Sequence, residues 1–292
     1  MRVTQSMLIG SVIRNLQDSR AKLDDLNDQI TSGKRIRKPS DDPTGAAVAL
    51  SLRARQTRLD AQARGRGAAL DWLNATESNL ASMSSTLTRV KELSVQAANS
   101  ALDQAAREHI ASELEQILDH LIQVGNARIG DRFLFAGDRT DTAPFARDFT
   151  PAGATYTGTT NPVTMRVDAG VELPVGITGD QLLPVFAAVA GLVADLQTPG
   201  VPIEPARLQA VESAHDTVLT LLATVGAKTN RLQAMEERAG LDTVALAGQL
   251  STIEDTDFVE AVLAFRTRQT VYEAAMAAGA KIIQPSLLDF LR

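Results

Sequence analysis

The sequence contains no cysteine, and only three of its 292 residues are histidine. Disulfide staples, thiolate metal sites and cysteine nucleophiles are therefore excluded. His109, His120 and His215 are too scattered to imply a metal site. Aromatic side chains make up 4% of the chain. Such side chains supply much of the area buried in compact cores. Their scarcity points to cores of Leu, Ile, Val and Ala, the set that long packed helices use. Met1 to Ser6 lacks the continuous apolar run of a cleaved leader, and Met7 to Ile9 is too short to supply one. No stretch reads as the roughly 20 apolar residues of a membrane span. On these absences alone the chain reads as cytoplasmic. Its formal net charge of −6 favours solubility and disfavours non-specific nucleic-acid binding.

What the sequence does have is helical periodicity. Ile9, Leu16, Leu23 and Ile30 recur in heptad register, with Val12, Ser19 and Leu26 between them. That is the seam of a helix packing against other helices. Gly33 suits the left-handed position just past its end. Asp42 reads as the N-cap of a second helix, with Pro43 in the first helical position. Leu50, Leu52, Leu59 and Leu70 mark this helix, and Gly65 and Gly67 blur its end. A separate helix is expected over Leu73, Thr76, Leu80, Met83, Leu87, Val90, Ser94 and Ala97, broken at Ser100-Ala101-Leu102-Asp103, which resembles a capping box. A fourth carries Ile110, Leu114, Ile117, Leu121 and Val124 and is expected to end near Gly130.

From about residue 138 to about residue 180, Thr, Gly and Pro dominate and alternation replaces the helical period. Val163, Met165 and Val167 form one alternating run, and Val171, Leu173 and Val175 another. With Asn161-Pro162 as a turn, this predicts a small β-rich insert that leans on a helical body. Helical patterning resumes from Leu182 to Leu196 and again through Leu208, Val211, His215, Val218, Leu222, Val225, Thr229 and Leu232. The last helix shows Phe258, Val262, Phe265, Gln269, Tyr272, Met276, Gly279 and Ile283 in heptad order, with Pro285 ending it.

The fold class expected is mainly α: a long antiparallel helical bundle or coiled coil formed by the N- and C-terminal regions, with the small β-rich insert in the middle, at the far tip of a hairpin-like chain. The domains expected are a terminal coiled coil (1–38 and 256–292), a helical core (39–137 and 181–255) and an outer β-rich domain (138–180). Long helices make a poor catalytic cleft, and no catalytic constellation is found. Gly33-Lys34-Arg35 lacks the glycine spacing, the following Ser or Thr and the preceding strand of a phosphate loop. Asp24-Asp25, Asp41-Asp42 and Glu236-Glu237 read as surface or capping groups, and His215 as a satisfied core or interface histidine. Residues 34–66 carry nine basic and three acidic side chains without an aromatic for base stacking. They read as a solvated face, or as a subunit contact to acids near Glu113, Glu115 and Asp119, or near Glu254, Asp255 and Asp257.

Several spaced motifs resemble a known family. Leu23, Leu26 and Ile30-Thr31-Ser32-Gly33-Lys34-Arg35-Ile36, then Asp41-Asp42-Pro43-Thr44-Gly45-Ala46-Ala47, look like the N-terminal signature of the bacterial flagellin family, as does Lys91-Glu92-Leu93-Ser94-Val95-Gln96-Ala97-Ala98-Asn99. Phe133-Leu134-Phe135-Ala136-Gly137 with Pro144-Phe145 is more typical of the members at the hook–filament junction than of filament subunits. Gly226 to Leu232, Ile253 to Asp257 and Ser286 to Leu291 are similar to the ending of those members. The resemblance covers residues 1–145 and 208–292 and leaves the β insert unmatched.

It implies a non-enzymatic structural part of the flagellum without cofactor or metal: a junction adaptor joining the hook, through another hook-associated protein, to the flagellin filament. The alternative is a filament subunit. The partners implied are further copies in a ring, a hook-associated protein, flagellin and an export chaperone, with neither nucleic acid nor a membrane span. Export through the flagellar type III apparatus without signal cleavage is also implied, which replaces the cytoplasmic reading with an extracellular one. The expected assembly interface is the pair of terminal seams: Ile9, Val12, Leu16, Leu23, Leu26 and Ile30, with Phe258, Val262, Phe265, Tyr272, Met276 and Ile283. These either pack within one molecule or are closed by neighbouring copies, because a helix pair at the chain ends buries little area against its ordering entropy.

Overall fold

The heptad seams become helices where expected. In the computed structural model, which describes residues 5–99 and 103–283, α1 spans Gln5–Ser32. Gly33 ends it with a φ of 69°, and its N–H donates to Gln29 at 2.9 Å. The Asp42 carboxylate accepts from the N–H of Gly45 at 2.9 Å, so α2 starts at Pro43 with the cap the sequence names.

α2 then runs to Ala97 without a break. The two helices expected on either side of Gly65 and Gly67 are therefore one. Glycine costs a helix about 1 kcal/mol against alanine, which the buried residues Ala69, Trp72 and Leu73 just beyond outweigh. Gly65 has its own reason: a Cβ there would lie 2.3 Å from the carbonyl oxygen of Arg166.

Two compact units emerge, residues 1–57 with 242–292 and residues 58–241. In the second, α3 (Gln104–Gly125) opens on Asp103, whose carboxylate accepts from Ala106. Residues 100–102, the rest of the expected capping box, lie outside the described residues. α3 ends at Gly125, short of the expected Gly130, with Asn126 as its C-cap; a Cβ at Gly125 would lie 2.8 Å from the ring of Phe145. Gly130, with a φ of 57°, instead turns a short hairpin of β1 (Arg128–Ile129) and β2 (Arg132–Phe133).

The insert is two further antiparallel hairpins. β3 (Phe145–Arg147) pairs with β4 (Ala154–Tyr156), and β5 (Thr164–Asp168) with β6 (Val171–Pro174). Phe145, Ala154, Val163, Val167, Leu173, Val175 and Ile177 are buried in one core with the helices of this unit. A tight turn at Gly179–Leu182 leads into α4 (Leu183–Gln197). Gly179–Gln197 is long and apolar enough to cross a membrane, which the sequence reading did not allow for. It is 61% buried in the protein core, and Phe186 of α4 meets Phe145 edge-on at 4.9 Å. Core packing accounts for its apolarity.

α5 spans Pro205–Glu254 and α6 Phe258–Ile283. Within residues 58–241, α2 and α5 share a seam of buried Leu80, Leu87, Val211, Val218 and Val225. Its edges are tied by Lys91–Glu212 at 2.9 Å and by Ser84 Oγ, 3.0 Å from His215 Nε2. His215 is thus a satisfied histidine.

Candidate assembly interface

Within the unit of residues 1–57 and 242–292, α1 and α6 pack antiparallel. The start of α6 lies by the end of α1, where Thr256 N–H donates to Gly33 O at 3.0 Å. Near the other end of the pair, Gly279 faces α1 so closely that a Cβ would sit 3.0 Å from Val12 Cγ1 and 3.9 Å from Leu16.

The predicted seam residues divide by exposure. Ile9, Val12, Leu16, Leu23, Leu26 and Ile30 of α1 are half-buried, as are Val262, Phe265 and Tyr272 of α6. Phe258 and Met276 remain 59% and 50% exposed. The side chain of Ile283 and the motif from Ser286 to Leu291, like Pro285, lie outside the described residues.

A second apolar surface escaped the heptad reading. Ala261 and Gly279, about five turns apart at 3.6 residues per turn, are buried and mark the inward side of α6. Val259 and Leu263 lie on its opposite side, 77% and 68% exposed, and Val271 is 57% exposed. Met7 and Ile13 of α1 are also exposed. The available signal was that α6 is apolar around more of its circumference than a helix with one buried stripe requires.

The same unit holds a polar joint that links the α1–α2 connection to the end of α5. Lys34 and Asp255 form an isolated antiparallel bridge, and Arg35 N–H donates to Glu254 O at 2.6 Å. The Glu254 carboxylate, only 3% exposed, accepts from Lys34 Nζ at 3.0 Å and Arg53 Nη2 at 2.7 Å. Burial pushes its pKa up, but the hydrogen bonds from Lys34 and Arg53 outweigh that and hold it below its ordinary value.

Much of the basic segment is thereby spoken for inside the chain. Arg35 reaches Asp42 and the carbonyl of Ile253, and Arg37 pairs with Asp28. Arg66, 3% exposed, donates to Val167 O at 3.2 Å and so holds the β insert to α2. Arg55, Arg58 and Arg64 stay on the surface. Among the described residues, no cluster of His, Asp and Glu could hold a metal ion.

This arrangement suits holding and stacking, and sequence comparison agrees with it. The profile of the bacterial flagellin N-terminal helical region matches residues 3–140, and that of the C-terminal helical region matches residues 208–291. Flagellar hook-associated protein 3 of Escherichia coli K12 is 25% identical, over 95% of this chain and 96% of that protein. The flagellar filament 41 kDa core protein of Borreliella burgdorferi is 24% identical over 96% of each. Among solved structures, the flagellar junction protein of Legionella pneumophila shares the fold with a TM-score of 0.59 at 15% identity, over 72% of this chain and 100% of that one. Because the two matched regions together take in well over half of the sequence and supply the two partners of the α1–α6 pair, the chain belongs to the bacterial flagellin family.

Proposed function

We propose that this protein is a non-enzymatic adaptor at the hook–filament junction of the flagellum, and that neighbouring subunits complete its terminal helix pair. The observation that carries this reading is the exposed apolar side of α6, Val259 and Leu263 facing away from α1. A lone helix pair that is apolar on both sides leaves area exposed that association would cover. Copies side by side in a ring would cover it with one another. Another hook-associated protein would then meet one face of the ring and flagellin the other, with an export chaperone shielding the terminal helices beforehand. Export through the type III apparatus without signal cleavage would place the protein outside the cell.

The junction role is supported by Phe133-Leu134-Phe135-Ala136-Gly137 and by relatives named as a hook-associated protein and a junction protein. The alternative is a filament subunit, since the Borreliella filament core protein, a more distant relative, also matches over the length of the chain. Incubation of the purified protein with filament seeds separates the two. An adaptor caps the seeds, whereas growth of long filaments from this chain alone overturns the junction reading.

A further inference from the structure

Phe149, at the tip of the loop between β3 and β4, is 93% exposed, the most exposed large apolar side chain among the described residues. Arg147 stacks against one side of its ring, 5.6 Å from the centroid. Beside it, Asp148 commits Oδ1 to the N–H of Thr150 at 3.0 Å. The result is a held hairpin loop that presents an aromatic knob next to a carboxylate. An aromatic ring in water is costly, and a loop of fixed shape loses little entropy on docking.

A different part of the same unit offers the complement. Pro162, Pro174, Ile177 and Leu221, interleaved with four threonines and Gln181, line an open cavity of 340 Å³ that also takes in Lys228 of α5. Lys228 is half-buried, and no ion pair or hydrogen bond to it is formed among the described residues. Its burial lowers the ammonium pKa with no anion to offset it, so an arriving carboxylate would be bound with a gain. The hairpin sits on α3 and α4, where Arg147 pairs with Asp119 and Gly153 touches Phe186 and Ala190. The cavity lies instead between α5 and the residues flanking β5 and β6.

We infer that copies of this chain meet head to tail through these two surfaces, Phe149 of one copy entering the cavity of the next and Asp148 pairing with Lys228. Knob and cavity are different patches, so the contact is heterologous, the kind that closes rings or runs on as helical rows. The inference rests on the reading that copies associate, but it uses neither α1 nor α6.

The absence of cysteine makes the test clean. One full-length chain carries Thr150→Cys and a second, differently tagged, carries Thr224→Cys, which lie beside Asp148 and Lys228 and leave that pair intact. Both are expressed together in a strain lacking the native chain, and flagella are isolated and mildly oxidised. The expected result is a disulfide between the two tagged chains, at least tenfold above a control in which Thr142→Cys replaces Thr150→Cys. Adding Phe149→Ala should reduce the yield about tenfold, a substitution that an exposed site tolerates without unfolding. The same chains mixed as concentrated purified protein provide a readout independent of the flagellum.

Both chains present in flagella with no disulfide above control would overturn this contact and leave the adaptor reading intact. Chains absent from flagella that still cross-link in solution would overturn the adaptor reading and keep the contact. No excess in either setting, or trapping of the Phe149 loop by flagellin in place of a second copy, overturns the inference.

Discussion

Arg53 and Glu254, 201 residues apart in the sequence, meet at 2.7 Å around a carboxylate that is only 3% exposed. Lys34 completes the cluster at 3.0 Å. The three charges close the gap between the α1–α2 connection and the end of α5, together with a β-bridge, backbone hydrogen bonds and the bond from Arg35 Nη2 to Ile253 O.

Acid should loosen this joint first. The folded-state pKa of Glu254 lies below its ordinary value of 4.5, so the unfolded chain takes up the proton more readily than the native one. The stabilisation is complete above the unfolded pKa and fades as pH falls through the folded one. Glu254→Gln should be less stable near neutral pH and should flatten the acid limb. Urea midpoints measured from about pH 7 down to about pH 3 would show the two curves converging. Parallel curves would mean that Glu254 is not the group responsible.

Gly65 and Gly67 should behave oppositely despite sitting two residues apart. A Cβ at Gly65 meets the Arg166 carbonyl at 2.3 Å, whereas nothing lies within 4 Å of one at Gly67. Gly65→Ala must push β5 away from α2 and should cost about 1–3 kcal/mol, the usual price of overpacking. Gly67→Ala should instead gain up to about 1 kcal/mol of helix propensity. Thermal melts of the two variants test both signs at once.

These glycines also show what the sequence could and could not convey. Read locally, Gly65 and Gly67 look like helix breakers, because the strand that requires Gly65 lies a hundred residues away. Gly125 went unread for the same reason, since Phe145, the ring that excludes a side chain there, lies twenty residues on. The seams of α1 and α6, the Asp42 cap and the alternation of β5 and β6 were legible because each is a periodic or nearest-neighbour signal. Val259 and Leu263 were not, because a heptad scan follows one face of a helix. The meeting of the basic segment with the acids near Glu254 was legible as charge complementarity, but Lys34 and Arg53 reach Glu254 within one chain, where the sequence had suggested a contact between subunits.

The β insert shares a core with the helices of residues 58–241, which bears on what its removal would do. No terminal seam passes through it, so excision of residues 139–180 should be milder than loss of a chain end. Yet Phe145, Val167, Leu173 and Val175 are buried in the same core as Leu114, Phe186 and Val218. Excision would strip those helices of one wall. The deleted protein should lose cooperative unfolding of residues 58–241 and become protease-sensitive across α3 and α4. Retention of a native-like thermal transition would contradict this account of the core.

The two sides of α6 give the sharpest separation of folding from assembly. Leu263 is 68% exposed, so Leu263→Asp should change monomer stability by no more than about 0.5 kcal/mol. Phe265 is half-buried on the side toward α1, and Phe265→Asp would place a carboxylate in that seam and loosen the pair in the monomer itself. If neighbouring subunits cover the outer side, both variants should abolish motility, but only Phe265→Asp should raise hydrogen exchange in α1 of the isolated chain. Normal swimming and filament attachment with Leu263→Asp would mean that the outer side of α6 faces water in the assembled flagellum.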